Sequence, residues 1–337
     1  MIDLLHIAVS LAPVFVFLIL LIALDSYKLV TLSLMARTIL IGCLVALACL
    51  YVNSWLMQLS GLKHAHYTRY MAPLVEESLK ALFIVYLMRV RRVGFMVDAA
   101  ICGFAIGAGF ALIENIYYLQ TVADSNIFLW VIRGFGTAIM HGGTTAIFAV
   151  LSTLFLERRS RKSWLALAPG LASAVVIHSM FNHFILPPVY TTGLLLIIQP
   201  ALLVIVFHYS ERSLENWLGV GLDAEMELFD LITSGNISGS RIGRYLDSLK
   251  ERFRGEVVVD ILCFLRLRLE LAMTAKGILI MRQGGHDVRP DEETAARLEE
   301  LTFLEGAIGA TGKLAIAPFL RSSDRDLWQL QMLNAKS

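Results

Sequence analysis

Residues 70–88 read YMAPLVEESLKALFIVYLM, an apolar run long enough to cross a lipid bilayer that nevertheless contains three charged side chains. Glu76 and Glu77 are adjacent, and Lys80 follows one helical turn later. A charged group in the middle of a membrane costs about 2.5–3.5 kcal/mol on insertion scales, so such residues usually face a cavity or a partner and mark a function. We therefore take the glutamate pair as the first candidate functional residues.

The composition places the chain in the membrane class. Hydrophobic residues make up 57% of its 337 residues, and charged residues only 17%. This balance excludes an ordinary soluble enzyme. The charges are also unevenly divided, because residues 1–210 hold 13 Lys and Arg against 8 Asp and Glu, whereas residues 211–337 hold 16 against 20. We predict a transmembrane domain at 1–210 and a helical domain at 211–337.

Apolar runs of about 20 residues predict an all-α fold, a polytopic membrane helix bundle of about seven transmembrane helices. The predicted spans are 4–24, 34–56, 70–88, 98–119, 130–156, 164–186 and 190–209. Basic residues concentrate in alternate loops, and such loops are typically cytoplasmic. These residues are Lys28, Arg37, Arg89, Arg91, Arg92, Arg158, Arg159, Arg161 and Lys162. The pattern predicts an N-terminus outside and a cytoplasmic C-terminal domain.

The C-terminal domain is predicted to be helical but not to span the membrane. Its most apolar stretch, Val257 to Met281, contains five charged residues, which is typical of an amphipathic helix and too many for a span. No nucleic-acid motif occurs in the chain. The partners that we expect are the lipid bilayer and, for 211–337, a cytoplasmic partner or a second copy of the chain.

Further polar residues continue ridges of small side chains in the later spans. In the fourth span Ala99, Gly103, Gly107 and Ala111 precede Glu114. In the fifth, the ridge is Gly134, Ala138 and Gly142, with His141 three residues after Ala138. In the sixth, Ala166, Gly170 and Ala174 precede His178 and Asn182. Small residues at this spacing let helix backbones approach closely inside a membrane. The polar residues are therefore predicted to face other helices and not lipid.

Depth and chemistry suggest that these residues share one site. At about 1.5 Å per residue, the glutamate pair, Glu114 and His178 lie within roughly 6 to 13 Å of the predicted outer boundary. Carboxylates and imidazoles without thiolates suit zinc and similar divalent ions, which make a bound water acidic enough to attack at neutral pH. Neighbouring helical residues point about 100° apart, so Glu76 and Glu77 are expected to do different jobs. Hydrolysis is the chemistry that this set favours.

Four short motifs resemble those of a known family. In chain order they are the E-E-x-x-K of Glu76 to Lys80, the F-x-x-x-E-N of Phe110 to Asn115, the single histidine His141, and the H-x-x-x-N of His178 to Asn182. Together they resemble the PrsW family of intramembrane proteases, relatives of the CAAX-prenyl endopeptidase superfamily. The resemblance extends over residues 70–186, so the tail after Glu211 is a departure from the minimal family pattern.

The resemblance implies an intramembrane metalloendopeptidase of a bacterial inner membrane. Its substrate would be another membrane protein, expected to be single-span, cut near the extracytoplasmic face as in the cleavage of an anti-sigma factor during signalling. The implied roles are Glu76 and Glu77 as the catalytic acid pair with one as general base, Asn182 as a support for the oxyanion or a ligand, and His141, His178 and Glu114 as ligands of a divalent metal, expected to be zinc.

Two other functions remain open at this stage. Buried carboxylates and histidines can also relay protons or bind a cation for transport, so a carrier would use the same residues. A catalytically silent receptor or scaffold could hold a partner helix in the same cavity.

Overall fold

The computed structural model describes residues 4–121, 126–158, 164–317 and 324–334. These residues form helices and no strand, which confirms the all-α prediction. The chain divides into two compact units, Met1–Glu211 and Arg212–Ser337. In chain order the helices are α1 (Leu4–Leu24), α2 (Leu32–Ser60), α3 (His64–His66), α4 (Ala72–Arg89), α5 (Met96–Thr121), α6 (Ile127–Arg158), α7 (Ala168–Asn182), α8 (Pro188–Thr233), α9 (Arg241–Leu249), α10 (Gly255–Gln283), α11 (Glu292–Ile316) and α12 (Asp324–Leu333).

Six segments of the described chain are long and apolar enough to cross a membrane, where the sequence predicted about seven. They are Leu5–Ala23, Leu32–Ser60, Met96–Thr121, Ile127–Leu156, Trp164–Asn182 and Pro188–Thr233. The span predicted at 70–88 does form a helix, α4, but its two glutamates, Lys80 and Arg89 make it too polar to qualify. It packs among the apolar helices, against α2, α6 and α7.

Most predicted spans differ by a few residues from the helices that form, and the last two differ in where they end. The sixth ends as a helix at Asn182 instead of residue 186, and the seventh continues as α8 through Pro200 to Thr233. Three residues used to predict orientation, Arg159, Arg161 and Lys162, lie outside the described residues.

Helix α5 is the centre of the first unit, and it is buried without interruption from Met96 to Ala111. A Cβ added at Gly103 would lie 2.7 Å from the Thr145 carbonyl oxygen of α6, and one at Gly107 would overlap the His141 carbonyl. The predicted small-residue ridge therefore lets α5 and α6 touch along their backbones. Because helical side chains lean towards the N-terminus, Glu114, about two turns after Gly107, reaches back towards His141.

This close approach gives a stability prediction. Gly107→Ala should lower the free energy of unfolding by about 1–3 kcal/mol, the usual loss from overpacking a filled interior. The matched control is Gly193→Ala in α8, where no atom lies within 4 Å of the added Cβ and alanine only improves helix propensity. The measurement is the unfolding of both purified variants in detergent. Equal stability of the two variants would contradict the proposed helix contact.

The second unit is helical, as predicted, and has its own core. Residues of α10 such as Ile261, Phe264 and Leu265 pack with Leu301 and Leu304 of α11. Helix α11 begins after Asp291, whose carboxylate accepts hydrogen bonds from the Thr294 hydroxyl and backbone N–H at 2.6 and 2.8 Å. These bonds hold the pKa of Asp291 below its ordinary value.

Candidate active site

Four helices bring the predicted charged residues into one connected cluster. Glu76 and Glu77 come from α4, Glu114 from α5, His141 from α6 and His178 from α7. Glu77, His141 and His178 are almost completely buried, with 2%, 1% and 2% of their surface exposed. Buried charged and polar groups are stable only when they are paired, so the contacts within the cluster define the site.

Glu77 holds its neighbours in place. Its Oε1 accepts hydrogen bonds from Lys80 Nζ at 2.6 Å and from the Thr144 hydroxyl at 3.3 Å, and lies 2.8 Å from His178 Nδ1. The ammonium group of Lys80 is itself fully buried and balances the charge of this carboxylate. The contact with Nδ1 also fixes the His178 ring and directs Nε2 away from Glu77.

Glu76 has a different environment from its neighbour. Its side chain is 15% exposed, against 1% for Glu77. Its Oε1 accepts a hydrogen bond from Asn53 Nδ2 at 3.0 Å, and its Oε2 lies 3.8 Å from His178 Nε2. Of the two glutamates, Glu76 is therefore the one whose carboxylate solvent or a substrate can reach.

His141 has a partner on each ring nitrogen. Its Nδ1 lies 3.0 Å from Lys80 Nζ, and its Nε2 lies 2.6 Å from Glu114 Oε2. An ammonium group only donates, so Nδ1 of the ring accepts from Lys80. Nε2 then carries the ring hydrogen and donates a hydrogen bond to Glu114. The other oxygen of Glu114 is 3.5 Å from Arg133 Nη2. A carboxylate bound to an imidazole in this way orients the ring and raises its basicity.

Glu76, His141 and His178 form a group that could hold a metal ion. Each offers one ligand atom, and these three atoms lie within 4.8 Å of one another. Two imidazoles and one carboxylate are a known donor set of catalytic zinc sites, which keep a further position for water. The residues present therefore fit a divalent ion. To bind it, one ring nitrogen of His141 would have to give up its present contact, with Lys80 at Nδ1 or with Glu114 at Nε2. The predicted ligands were His141, His178 and Glu114, so this group contains Glu76 in place of Glu114.

Asn182 lies at the edge of the cluster, where it contacts backbone. A π-helical turn, Tyr67–Met71, leads into α4. The Asn182 amide donates to the Thr68 carbonyl of this turn at 2.9 Å, and the Ser179 hydroxyl donates to the Arg69 carbonyl at 2.6 Å. Among the described residues, the Asn182 side chain thus donates its hydrogen bond to the π-helical turn and not to Glu76 or Glu77. A direct part in the chemistry stays a prediction.

A cavity of about 250 Å³ adjoins the cluster. Its lining residues come from α2, α4, α5 and the turn between Ser60 and α4; they are Ala46, Cys49, Leu50, Asn53, Ser54, Met57, His64, Tyr67, Thr68, Ala72, Glu76, Phe110, Ile113, Glu114, Tyr117 and Tyr118. Of the six predicted site residues, only Glu76 and Glu114 belong to this lining. These two are therefore the predicted site residues that a molecule in the cavity would contact.

The sequence analysis missed three residues of the cluster, Asn53, Tyr67 and Thr144. Tyr67 donates a hydrogen bond from its hydroxyl to Asn53 Oδ1 at 3.0 Å, and Asn53 in turn contacts Glu76. Asn53 could have been found, because it is an amide inside the predicted span 34–56. Tyr67 and Thr144 have no comparable signal in the sequence.

A family model described as PrsW family intramembrane metalloprotease matches residues 31–209. The match covers more than half of the chain and includes all six predicted site residues. A search of curated proteins and a search of solved structures gave no match.

Proposed function

Because the chain belongs to the PrsW family of intramembrane metalloproteases, we propose that Glu76, His141 and His178 form its active site and that it cuts another membrane protein there. One observation carries this proposal. Three side chains from three different helices place their ligand atoms within 4.8 Å of one another, next to a cavity. Ionisable side chains are unfavourable inside a membrane and usually mark a functional site. Hydrolysis with a divalent ion is a function that uses this set of groups.

The proposed roles follow from the contacts of each carboxylate. Glu114 already accepts hydrogen bonds on both oxygens, and Glu77 is buried under three neighbours. Glu76 lines the cavity and has acceptor positions left, since a carboxylate offers about four of them. Glu76 is thus the carboxylate that can reach both the ion and the substrate, while Glu77 positions His178 and Glu114 positions His141.

The metal, proposed to be zinc, would be held by His141, His178 and Glu76. When bound, it supplies a lower pKa for the attacking water and polarises the scissile carbonyl. Lys80 pairs with Glu77 and Arg133 with Glu114, and these contacts hold the two carboxylates in place. Asn182 and Ser179 act on the π-helical turn, so we assign Asn182 a positioning role in addition to the predicted one.

The proposed substrate is a single-span membrane protein, such as an anti-sigma factor, cut near the extracytoplasmic face. The enzyme would lie in a bacterial inner membrane with its N-terminus outside and residues 211–337 as a cytoplasmic domain for a partner or a second copy. The charge distribution of the loops supports this orientation. The family membership favours the protease over the carrier and the scaffold.

Co-expression with a library of tagged single-span proteins tests the proposal. The wild type should release new fragments that Glu76→Gln, Glu77→Gln and His178→Ala do not. The matched control for the last variant is His183→Ala, because the His183 ring contacts the Ser179 carbonyl and Tyr70 and lies outside the metal-binding group. Site-dependent ion flux without fragments would instead support a carrier, and neither effect would support a scaffold.

A further inference from the structure

A chain of two hydrogen bonds connects the π-helical turn to Glu76. Tyr67, the first residue of the turn, donates its hydroxyl hydrogen to Asn53 Oδ1 at 3.0 Å. Asn53, on α2, donates from Nδ2 to Glu76 Oε1, also at 3.0 Å. The π-helical turn, α2 and α4 are thus linked by hydrogen bonds that end at the Glu76 carboxylate.

The direction of this chain follows from the donors and acceptors available. An ionised carboxylate only accepts, so the Asn53 amide must present its nitrogen to Glu76. The amide oxygen then points the opposite way and needs a donor, which the Tyr67 hydroxyl provides. A turned amide would place two oxygens against each other at Glu76 and leave Tyr67 facing an N–H group. Glu76 therefore selects the amide orientation, and the Tyr67 hydroxyl stabilises it by donating to the amide oxygen.

Tyr67 can do this because its own position is fixed. Its side chain is only 2% exposed, and α7 fastens the turn through Asn182 and Ser179. Those two side chains donate to the Thr68 and Arg69 carbonyls. Short π-helical stretches are frequently found at functional sites. Here the turn is tied to α7, the same helix that supplies His178.

We propose that Asn53 is a positioning residue that holds the Glu76 carboxylate towards the two imidazoles, and that Tyr67 acts through Asn53. This inference rests on the proposed function, in which Glu76, His141 and His178 hold a divalent ion. With Oε1 held by Asn53, Oε2 is the oxygen that lies 3.8 Å from His178 Nε2. Hydrogen bonds that orient metal ligands from outside typically change metal affinity or activity by about 10–100-fold when removed.

The test is zinc affinity, measured by competition with a chelating dye on the purified full chain in detergent. Asn53→Ala should bind zinc about 10–100-fold more weakly than the wild type. Tyr67→Phe, which removes one oxygen atom, should shift the affinity in the same direction. The matched control is Ser54→Ala, because Ser54 lines the same cavity but donates its hydroxyl to Leu50 in its own helix, and its affinity should not change.

A double variant tests whether Tyr67 acts through Asn53. If it does, Asn53→Ala with Tyr67→Phe should bind zinc no more weakly than Asn53→Ala alone. Losses that add would overturn this part of the inference. If Asn53→Ala does not fold, Tyr67→Phe decides alone, and wild-type zinc affinity in a folded Tyr67→Phe protein overturns the inference.

Glu76→Gln separates this inference from the function on which it rests. Weaker zinc binding in Glu76→Gln together with wild-type affinity in Asn53→Ala and Tyr67→Phe would overturn the positioning role and leave the metal site in place. Unchanged affinity in Glu76→Gln would show that Glu76 is not a ligand, and both the proposed metal site and the role of Asn53 would then be wrong.

Discussion

Glu76→Gln is expected to slow cleavage of a co-expressed or purified substrate by about 10²–10⁴-fold, because a bound divalent ion supplies several kcal/mol of transition-state stabilisation. Glutamine has the same shape and can still accept the hydrogen bond that Asn53 donates to the Glu76 Oε1 position. It lacks the negative charge that binds a cation, so the ion that would activate the attacking water should be lost or held more weakly. The measurement is the rate of fragment formation at equal amounts of membrane-inserted enzyme.

Glu76→Gln should stay folded, because its side chain is 15% exposed and its carboxylate has no lysine partner as close as that of Glu77. Its unfolding midpoint should therefore match that of His183→Ala, which should also retain activity. Wild-type cleavage by a folded Glu76→Gln protein would remove Glu76 from the chemistry. Loss of activity in His183→Ala would show that the assay reports general damage to α7.

Lys80→Met should have the largest effect on stability, with a loss of about 3–5 kcal/mol in the free energy of unfolding. Lys80 is fully buried, and its Nζ lies 2.6 Å from Glu77 Oε1 and 3.0 Å from His141 Nδ1. Its removal leaves a buried carboxylate whose remaining hydrogen-bond contacts among the described residues are with Thr144 and His178. The measurement is unfolding in mixed micelles, with Lys63→Met as the control because Lys63 is exposed.

The pair itself can be tested by removing both charges. Glu77→Gln with Lys80→Met should recover much of the stability lost in Lys80→Met, because no uncompensated charge then remains in the interior. If the double variant is as unstable as the two single losses added together, Lys80 and Glu77 are not coupled.

The sequence was sufficient for the helical fold and for much of the cluster, because both depend on short-range patterns. Apolar runs identify the membrane helices, and the spacing of Gly103 and Gly107 identifies the face on which α5 meets α6. Once that face is known, Glu114 and His141 have to lie close together. The motif residues follow from the rule that polar groups at such ridges face protein.

Other features needed three-dimensional contacts between distant parts of the chain. Glu76 and Glu77 are equivalent in the sequence, and only their neighbours distinguish them: Asn53 for the first, Lys80 and His178 for the second. The contact between Lys80 and His141 joins α4 to α6 and has no periodic signal. Six helices of the described chain are recognisable as spans from length and apolar composition alone, whereas α4 carries four charged side chains and is stabilised by packing and ion pairs.

Metal content tests the central claim most directly. The wild-type chain, purified in detergent and dialysed against zinc, should retain one zinc ion per chain, and a chelator that removes it should abolish cleavage until zinc is restored. Glu76→Gln and His178→Ala should lose this ion, and His183→Ala should keep it. Cleavage that persists in the metal-free wild type, or full zinc content in both site variants, would contradict a metal centre built from Glu76, His141 and His178.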